Sequence, residues 1–257
     1  MKSYFELKGQ VAVVTGCSAG LGVQMAKALA SCGCNIVAVA RRMDKLEAVA
    51  KEIKDQYGVE TLALKCDITD TAAVDAMIAE TLKHFGRIDI VINNAGTGAV
   101  APAEDITDDQ FAHECDIDLF GSFRVARAAA KQAMIPAKYG RIINIASMYG
   151  LVGNKIAGSA PYHAAKGGVV NLTRALAAEW GKYNITVNSI CPGYFYTDLT
   201  RDTLNTDFFQ QNAKTMIPME RYGNEGELDS AALFFASPAS SYVTGVNLPV
   251  DGGYTCM

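Results

Sequence analysis

Two hydrophobic patterns alternate along the chain. Short runs rich in Val, Ile and Ala occupy Val11–Thr15, Ile36–Ala40, Thr61–Cys66, Ile88–Ile92, Arg141–Ala146, Thr186–Cys191 and Val246–Val250. Because they are apolar on both faces, they predict strands buried within a parallel sheet. Between them lie longer stretches with helical spacing: Gly20–Ala30, Asp44–Tyr57, Ala72–Phe85, Asp108–Met134, Tyr162–Tyr183 and Glu225–Ala236. Strand then helix, repeated, predicts an α/β fold of βαβ crossovers with helices on both faces of the sheet. The rhythm breaks at Tyr194–Asn224, which has helical patches and no clear strand. Ligands bind beyond the carboxyl ends of strands in such sheets, so this stretch, 194–224, is expected to act as a lid. No linker, repeat or low-complexity tract interrupts the pattern. The 257 residues are therefore expected to form one domain, 1–257.

Composition narrows the function classes. Half the residues are hydrophobic and 19% are charged, an ordinary balance for a globular core. The net charge of −4, with no basic stripe, argues against nucleic acid or an anionic membrane as a partner. No apolar run approaches the roughly 18 residues of a membrane span. Met1–Lys8 lacks the apolar centre of a signal peptide, so a cytoplasmic location is expected. Seven cysteines, at 17, 32, 34, 66, 115, 191 and 256, form no C-x-x-C pair and read as reduced thiols, several of them buried. His84, His113 and His163 are scattered, and no metal site is expected.

Chemistry enters after the first strand, at Thr15-Gly16-Cys17-Ser18-Ala19-Gly20-Leu21-Gly22, which leads into a helix. Glycines in that position let the backbone approach a pyrophosphate, and the helix N-terminus offers free N–H groups to the anion. The alternative is a plain strand-to-helix turn. The second strand ends Val39-Ala40-Arg41-Arg42. Folds that prefer NAD place an acidic residue here for the ribose hydroxyls, whereas a guanidinium grips a 2′-phosphate. Arg41 and Arg42 therefore favour NADP(H), with NAD(H) the alternative if they merely begin a solvated helix. Asp67 either accepts a hydrogen bond from an adenine amino group or caps the helix beginning near Thr69.

Taken in order, the glycine turn 15–22, Asp67-Ile68, Asn93-Asn94-Ala95-Gly96, Ser147, Tyr162-x-x-x-Lys166, Pro192-Gly193 with Thr197, and Asp251-Gly252-Gly253 form a pattern. From about Leu7 to Tyr254 the chain resembles the short, single-domain short-chain dehydrogenase/reductases. The resemblance implies a Rossmann-like, doubly wound sheet of about seven parallel strands, a bound nicotinamide dinucleotide and a homotetramer. It makes the chain a dinucleotide-binding catalytic domain that interconverts a secondary alcohol and a ketone. It also carries roles to residues. Gly16, Ser18, Ala19, Gly20, Leu21, Gly22, Arg41, Arg42, Asp67, Ile68, Asn94, Ala95 and Gly96 would hold cofactor. So would Pro192, Gly193, Phe195 and Thr197, with Tyr162 and Lys166 beside the nicotinamide ribose. Spacing of i, i+4 stacks Tyr162 and Lys166 on one helix face, where an ammonium favours the ionised phenol needed for proton transfer. Ser147 would orient the substrate oxygen. His163 lies about 100° away around the helix and reads as structural.

Two departures stand out. Family members carry Asn where this chain has Asp118, so the water relay to the lysine is altered or Asp118 pairs with Lys166; in either case Asp118 is a catalytic candidate. Ser147 and Tyr162 are also separated by two more residues than usual, through Asn154–Ser159.

Substrate remains open between classes. Pro192-Gly193-Tyr194-Phe195 and Trp180-Gly181 resemble gluconate 5-dehydrogenases and related polyol or sugar-acid enzymes. Thr97-Gly98-Ala99-Val100-Ala101, however, lacks the arginines such enzymes tend to carry there. Met148, Tyr149 and Leu151 add bulk suited to a hydroxysteroid, and Lys155 could supply one positive charge. A simple ketone is also open. The alternatives are a 3-oxoacyl-carrier-protein reductase, whose acidic partner would dock at Lys131, Lys138 and Arg141, and a non-catalytic NADP(H) sensor.

Overall fold

The computed structural model describes residues 4–98, 100–155, 158–197 and 200–256. Among these residues, seven parallel strands form one sheet in the order β3-β2-β1-β4-β5-β6-β7. They are β1 (Val11–Thr15), β2 (Asn35–Ala40), β3 (Thr61–Lys65), β4 (Ile90–Asn93), β5 (Gly140–Ile145), β6 (Ile185–Pro192) and β7 (Asn247–Val250). Each is within two residues of its expected ends. The helices are α1 (Gly20–Ser31), α2 (Met43–Tyr57), α3 (Thr71–Phe85), α4 (Asp108–Cys115), α5 (Ser122–Ala129) and α6 (Ile135–Ala137). They continue with α7 (Ala160–Trp180), α8 (Arg201–Leu204), α9 (Asp207–Met216) and α10 (Asp229–Ala236).

Alternation along each strand builds two cores. Ala12, Val14, Ile36, Ile92 and Ile143 point to one face, packing with Met25 and Leu29 of α1 and Phe235 of α10. Val11, Val13, Val37, Val91 and Ile142 point to the other, against Ile78 of α3, Val125 of α5 and Leu176 of α7. Each such side chain contributes about 1.5–3 kcal/mol on burial, which explains why uniformly apolar runs became central strands.

The expected helix 108–134 is present but not uniform. Asp116–Gly121 and Ala130–Met134 are π-helical turns joining α4, α5 and α6 into one rod. Asp70, not Asp67, caps α3: its carboxylate accepts the Ala72 and Ala73 N–H groups. Asp67 instead accepts from the Thr69 N–H and hydroxyl in a turn just before the helix. The basic docking cluster expected at Lys131, Lys138 and Arg141 does not form. Arg141 is fully buried, with its guanidinium donating to the Gly140 and Ser237 carbonyls and stacked on Tyr139. A strand interior surrounded by helix and loop left that side chain no route to solvent. All seven cysteines are free thiols, and burial pushes the Cys17 thiol up to about 12. Among the described residues no helix is long and apolar enough to cross a membrane.

Chain order reverses across the sheet between β1 and β4, since β2 and β3 lie on one side and β5 to β7 on the other. A crevice forms at such a switch point, just beyond the strand carboxyl ends.

Candidate active site

A cleft of about 820 Å³ opens there, within the size range of cofactor and substrate sites. It is held open by bonds between the loops that follow β1 and β4. The Asn94 and Ala95 N–H groups both donate to Thr15 Oγ1, each at 3.0 Å. Asn94 Nδ2 donates to the Thr15 and Gly16 carbonyls at 3.0 and 3.3 Å. Gly16 has φ +67°, and a Cβ there would fall 2.9 Å from the Ala95 backbone. Only glycine allows the two loops to meet this closely.

Helix α1 starts at Gly20 with no side-chain cap and no acidic residue in its first turn. Its leading N–H groups are left free for an anion. Ser18, Ala19, Gly20 and Leu21 line the cleft beside them. Arg41 and Arg42 follow β2 on the same wall, exposed, with an Arg42 guanidinium nitrogen 3.5 Å from Ser18 Oγ. Asp67 and Ile68 line the cleft after β3. The Asp67 carboxyl is held below the usual carboxylate range by its bonds from the Thr69 N–H and hydroxyl, with Arg41 adding to the effect. This wall fits a dinucleotide: free amide donors suited to a pyrophosphate, a close-approach glycine, and two guanidiniums suited to a 2′-phosphate.

The other end gathers the proton-transfer candidates. Ser147, Tyr162, Lys166, Pro192, Gly193, Phe195 and Thr197 all line it, as do Asn94, Ala95 and Gly96. Tyr162 and Lys166 stand one turn apart on α7, with Lys166 Nζ 5.5 Å from the phenol ring centre. The ammonium donates to the Ile145 carbonyl at 3.1 Å. It also faces Asp118 Oδ2 at 3.4 Å, in a pair almost wholly withdrawn from solvent. Asp118 lies in the π-turn, below the cleft wall, and Oδ1 accepts the Thr97 N–H at 2.8 Å. Burial pushes the Asp118 carboxyl up from its ordinary value, and the Lys166 charge only partly offsets that. A Cβ on Gly96 would sit 3.0 Å from Asp118 Oδ1, so a glycine there lets the pair close. Of the expected site residues, Gly22 and Asp118 are outside the cleft wall; Gly22 packs under Asn94 instead.

Several contacts escaped the sequence reading. Asn93 Nδ2 donates to Asn144 Oδ1 at 2.9 Å, and Asn144 Nδ2 donates to Thr173 Oγ1 at 2.9 Å. This buried polar chain links β4 and β5 to α7, the helix carrying Tyr162 and Lys166. A polar residue interrupting the apolar run of β5 was the available signal. Thr200 also lines the cleft; its hydroxyl donates to the Phe195 carbonyl at 2.6 Å and accepts the Thr197 N–H. Tyr194 lines the substrate end, with its hydroxyl 2.6 Å from that of Tyr149. Met148, Tyr149 and Leu151, expected to add apolar bulk there, do not line the cleft; Tyr149 reaches it only through the hydroxyl it pairs with Tyr194. His163 stacks on Tyr149 with ring centres 4.8 Å apart, and its Nδ1 donates to the Ser159 carbonyl at 2.8 Å.

The stretch 194–224 holds α8 and α9 and is tied at its ends: Tyr196 N–H donates to Gly223 and Gly223 N–H to Tyr194, both at 2.9 Å. Residues 198–199 of that stretch, and 99, 156 and 157 of the other expected substrate-side segments, lie outside the described residues.

Comparison with known proteins finds oxidoreductases that match along nearly the whole chain. A family model described as Enoyl-(Acyl carrier protein) reductase matches residues 16–255. The uncharacterised oxidoreductase YgcW of Escherichia coli K12 is 40% identical over 98% of this chain and 94% of its own. Galactitol 2-dehydrogenase (L-tagatose-forming) of Cereibacter sphaeroides is 35% identical over 99% of this chain and 98% of its own. The crystal structure of a gluconate 5-dehydrogenase from Burkholderia cenocepacia J2315, in complex with NADP and tartrate, superposes with a TM-score of 0.93. It is 37% identical and covers 99% of this chain and 98% of its own.

Proposed function

The chain belongs to the short-chain dehydrogenase/reductase family, and from that premise we propose an NADP(H)-dependent oxidoreductase interconverting a secondary alcohol and a ketone on a polyol or sugar acid. The observation that carries this reading is one cleft with an uncapped helix N-terminus at one end and Ser147, Tyr162 and Lys166 at the other. The relatives that act on galactitol and gluconate support the substrate class. Arg41 and Arg42, together with the NADP bound by the Burkholderia relative, support NADP(H) over NAD(H).

When bound, the nicotinamide group supplies or accepts the hydride. Tyr162 gives its phenolic proton to the ketone oxygen, or as phenolate takes one from the alcohol. Ser147 orients that oxygen. Lys166 places a positive charge beside the phenol, which favours the ionised form. Asp118 positions Lys166 and balances its charge. Gly16, Ser18, Ala19, Gly20 and Leu21 hold the pyrophosphate; Asp67 and Ile68 the adenine; Asn94, Ala95, Gly96, Pro192, Gly193, Phe195 and Thr197 the nicotinamide half. The stretch 194–224 covers the cleft of a single catalytic domain.

Exposed Phe111 and Phe120, on the rod that begins with α4, support a homotetramer packed through that rod. Cytoplasmic residence completes the reading. Buried Arg141 leaves a carrier-protein reductase without its docking cluster.

Spectrophotometric turnover with NADPH and NADH in parallel tests the proposal, using hexitols, ketoses, gluconate and 5-ketogluconate. Turnover with NADPH on a polyol or sugar acid is expected. Cofactor binding without turnover on any of them would overturn it.

A further inference from the structure

The charge layout of the cleft distinguishes between the two substrate classes just named. Among the described residues, three cationic side chains line the cleft: Arg41, Arg42 and Lys166. The arginines follow β2, which is separated from β5 by β1 and β4. Three strand spacings put them about 14 Å from the loop carrying Ser147. Lys166 is committed: its ammonium bonds the Ile145 carbonyl and faces the Asp118 carboxylate. With the usual Asn at position 118 that lysine would be an unbalanced cation. Here the pair is neutral. Lys155 is exposed and outside the cleft wall.

A carboxylate entering this end would lose water and meet no free cation among the described residues, which is unfavourable. What the wall offers instead is hydroxyl chemistry. Tyr194 lines it, and its hydroxyl pairs at 2.6 Å with that of Tyr149. Tyr254 is a further hydrogen-bonding partner of the Tyr149 hydroxyl, so a chain in which Tyr254 donates to Tyr149 and Tyr149 to Tyr194 leaves the Tyr194 proton and a lone pair for a ligand hydroxyl. Both rings are fixed. Tyr149 is clamped by the stacked His163, and Tyr194 packs edge-on against Phe209 and Tyr222.

We propose that the site takes an uncharged polyol and its ketose in preference to a sugar acid, with Tyr194, backed by Tyr149, recognising a hydroxyl beyond the reacting carbon. This rests on the alcohol–ketone reading above and deepens it.

The test compares kcat/KM with NADP(H) for a hexitol and an aldonate of equal length, on the wild-type enzyme and on Tyr194→Phe, Tyr149→Phe and Lys155→Ala. Wild type should favour the hexitol at least tenfold. Tyr194→Phe should raise KM for the hexitol about five- to tenfold and shrink the hexitol's advantage in kcat/KM over 2-butanol by about the same factor. Tyr149→Phe should do the same more weakly. Lys155→Ala should change neither ratio. Preference for the aldonate, or its loss in Lys155→Ala, overturns the inference and leaves the alcohol–ketone reading standing. Hexitol turnover unaltered by Tyr194→Phe also overturns it. No turnover on either substrate, with NADPH bound as judged by fluorescence, overturns the underlying reading and this inference with it.

Discussion

Lys166 Nζ lies 3.4 Å from Asp118 Oδ2, and the two side chains are 6% and 0% exposed. The lysine is on α7 and the aspartate in the π-turn before α5, so two elements distant in sequence place opposite charges beneath one phenol. Removing the negative member leaves Lys166 unbalanced beside Tyr162, and an unbalanced cation favours the ionised phenol. Asp118→Asn should therefore keep activity within about tenfold and move the acidic limb of alcohol oxidation to lower pH. The profile of kcat/KM against pH checks this. Total inactivation, or a limb moved to higher pH, contradicts it.

Tyr162 is the proton-transfer group of the proposal. Tyr162→Phe should lower kcat by about 10²–10⁴-fold and leave NADPH affinity close to wild type, because the cofactor contacts are spread along the whole cleft. Stopped-flow turnover alongside fluorescence titration separates the two effects.

Arg42 lies beside Ser18 on the cleft wall and is the residue proposed to hold a 2′-phosphate. Arg42→Ala should weaken NADPH binding about tenfold, equal to about 1.4 kcal/mol, and barely alter NADH. Equal weakening of both cofactors would assign Arg42 to the fold instead.

Asn144 connects Asn93 to Thr173 inside the protein. Asn144→Ala removes both bonds and leaves buried polar atoms short of partners. A loss of about 2 kcal/mol in unfolding free energy is expected, measured by denaturant titration. Unchanged stability would show the polar chain to be dispensable.

Asp229, in the first turn of α10, has its carboxyl pushed up to about 6 by burial and by Glu225. An acid raised in the folded state binds its proton more tightly there than when unfolded. Its stability contribution is therefore unpenalised near pH 4 and becomes unfavourable as pH rises through about 6. Asp229→Asn should stabilise the protein by about 1 kcal/mol at pH 7.5, an amount discounted for partial exposure, and have little effect near pH 4. Thermal unfolding at the two pH values decides.

Much of this protein was legible before any coordinates. Seven apolar runs became seven strands: the five central ones are buried on both faces, which shows directly as composition, while β3 and β7, at the edges, are only partly buried. The glycine turn and Tyr162-x-x-x-Lys166 were legible because each is local: neighbouring residues on one turn or one helix face carry the whole signal. Tertiary structure decided what depends on residues far apart in the chain. Arg141 looked like surface charge until a helix and a loop closed over its strand. Asp67, open in the sequence between an adenine contact and a helix cap, lost the cap when Asp70 took the helix end three residues away. The partners of Asn144 came from β4 and α7, 51 and 29 positions distant. The balance of Lys166 by Asp118, raised by the sequence only as one of two outcomes, required a π-turn and a glycine at 96 to bring the charges together. A pattern along the chain reports which face a residue wants; only packing determines what waits there.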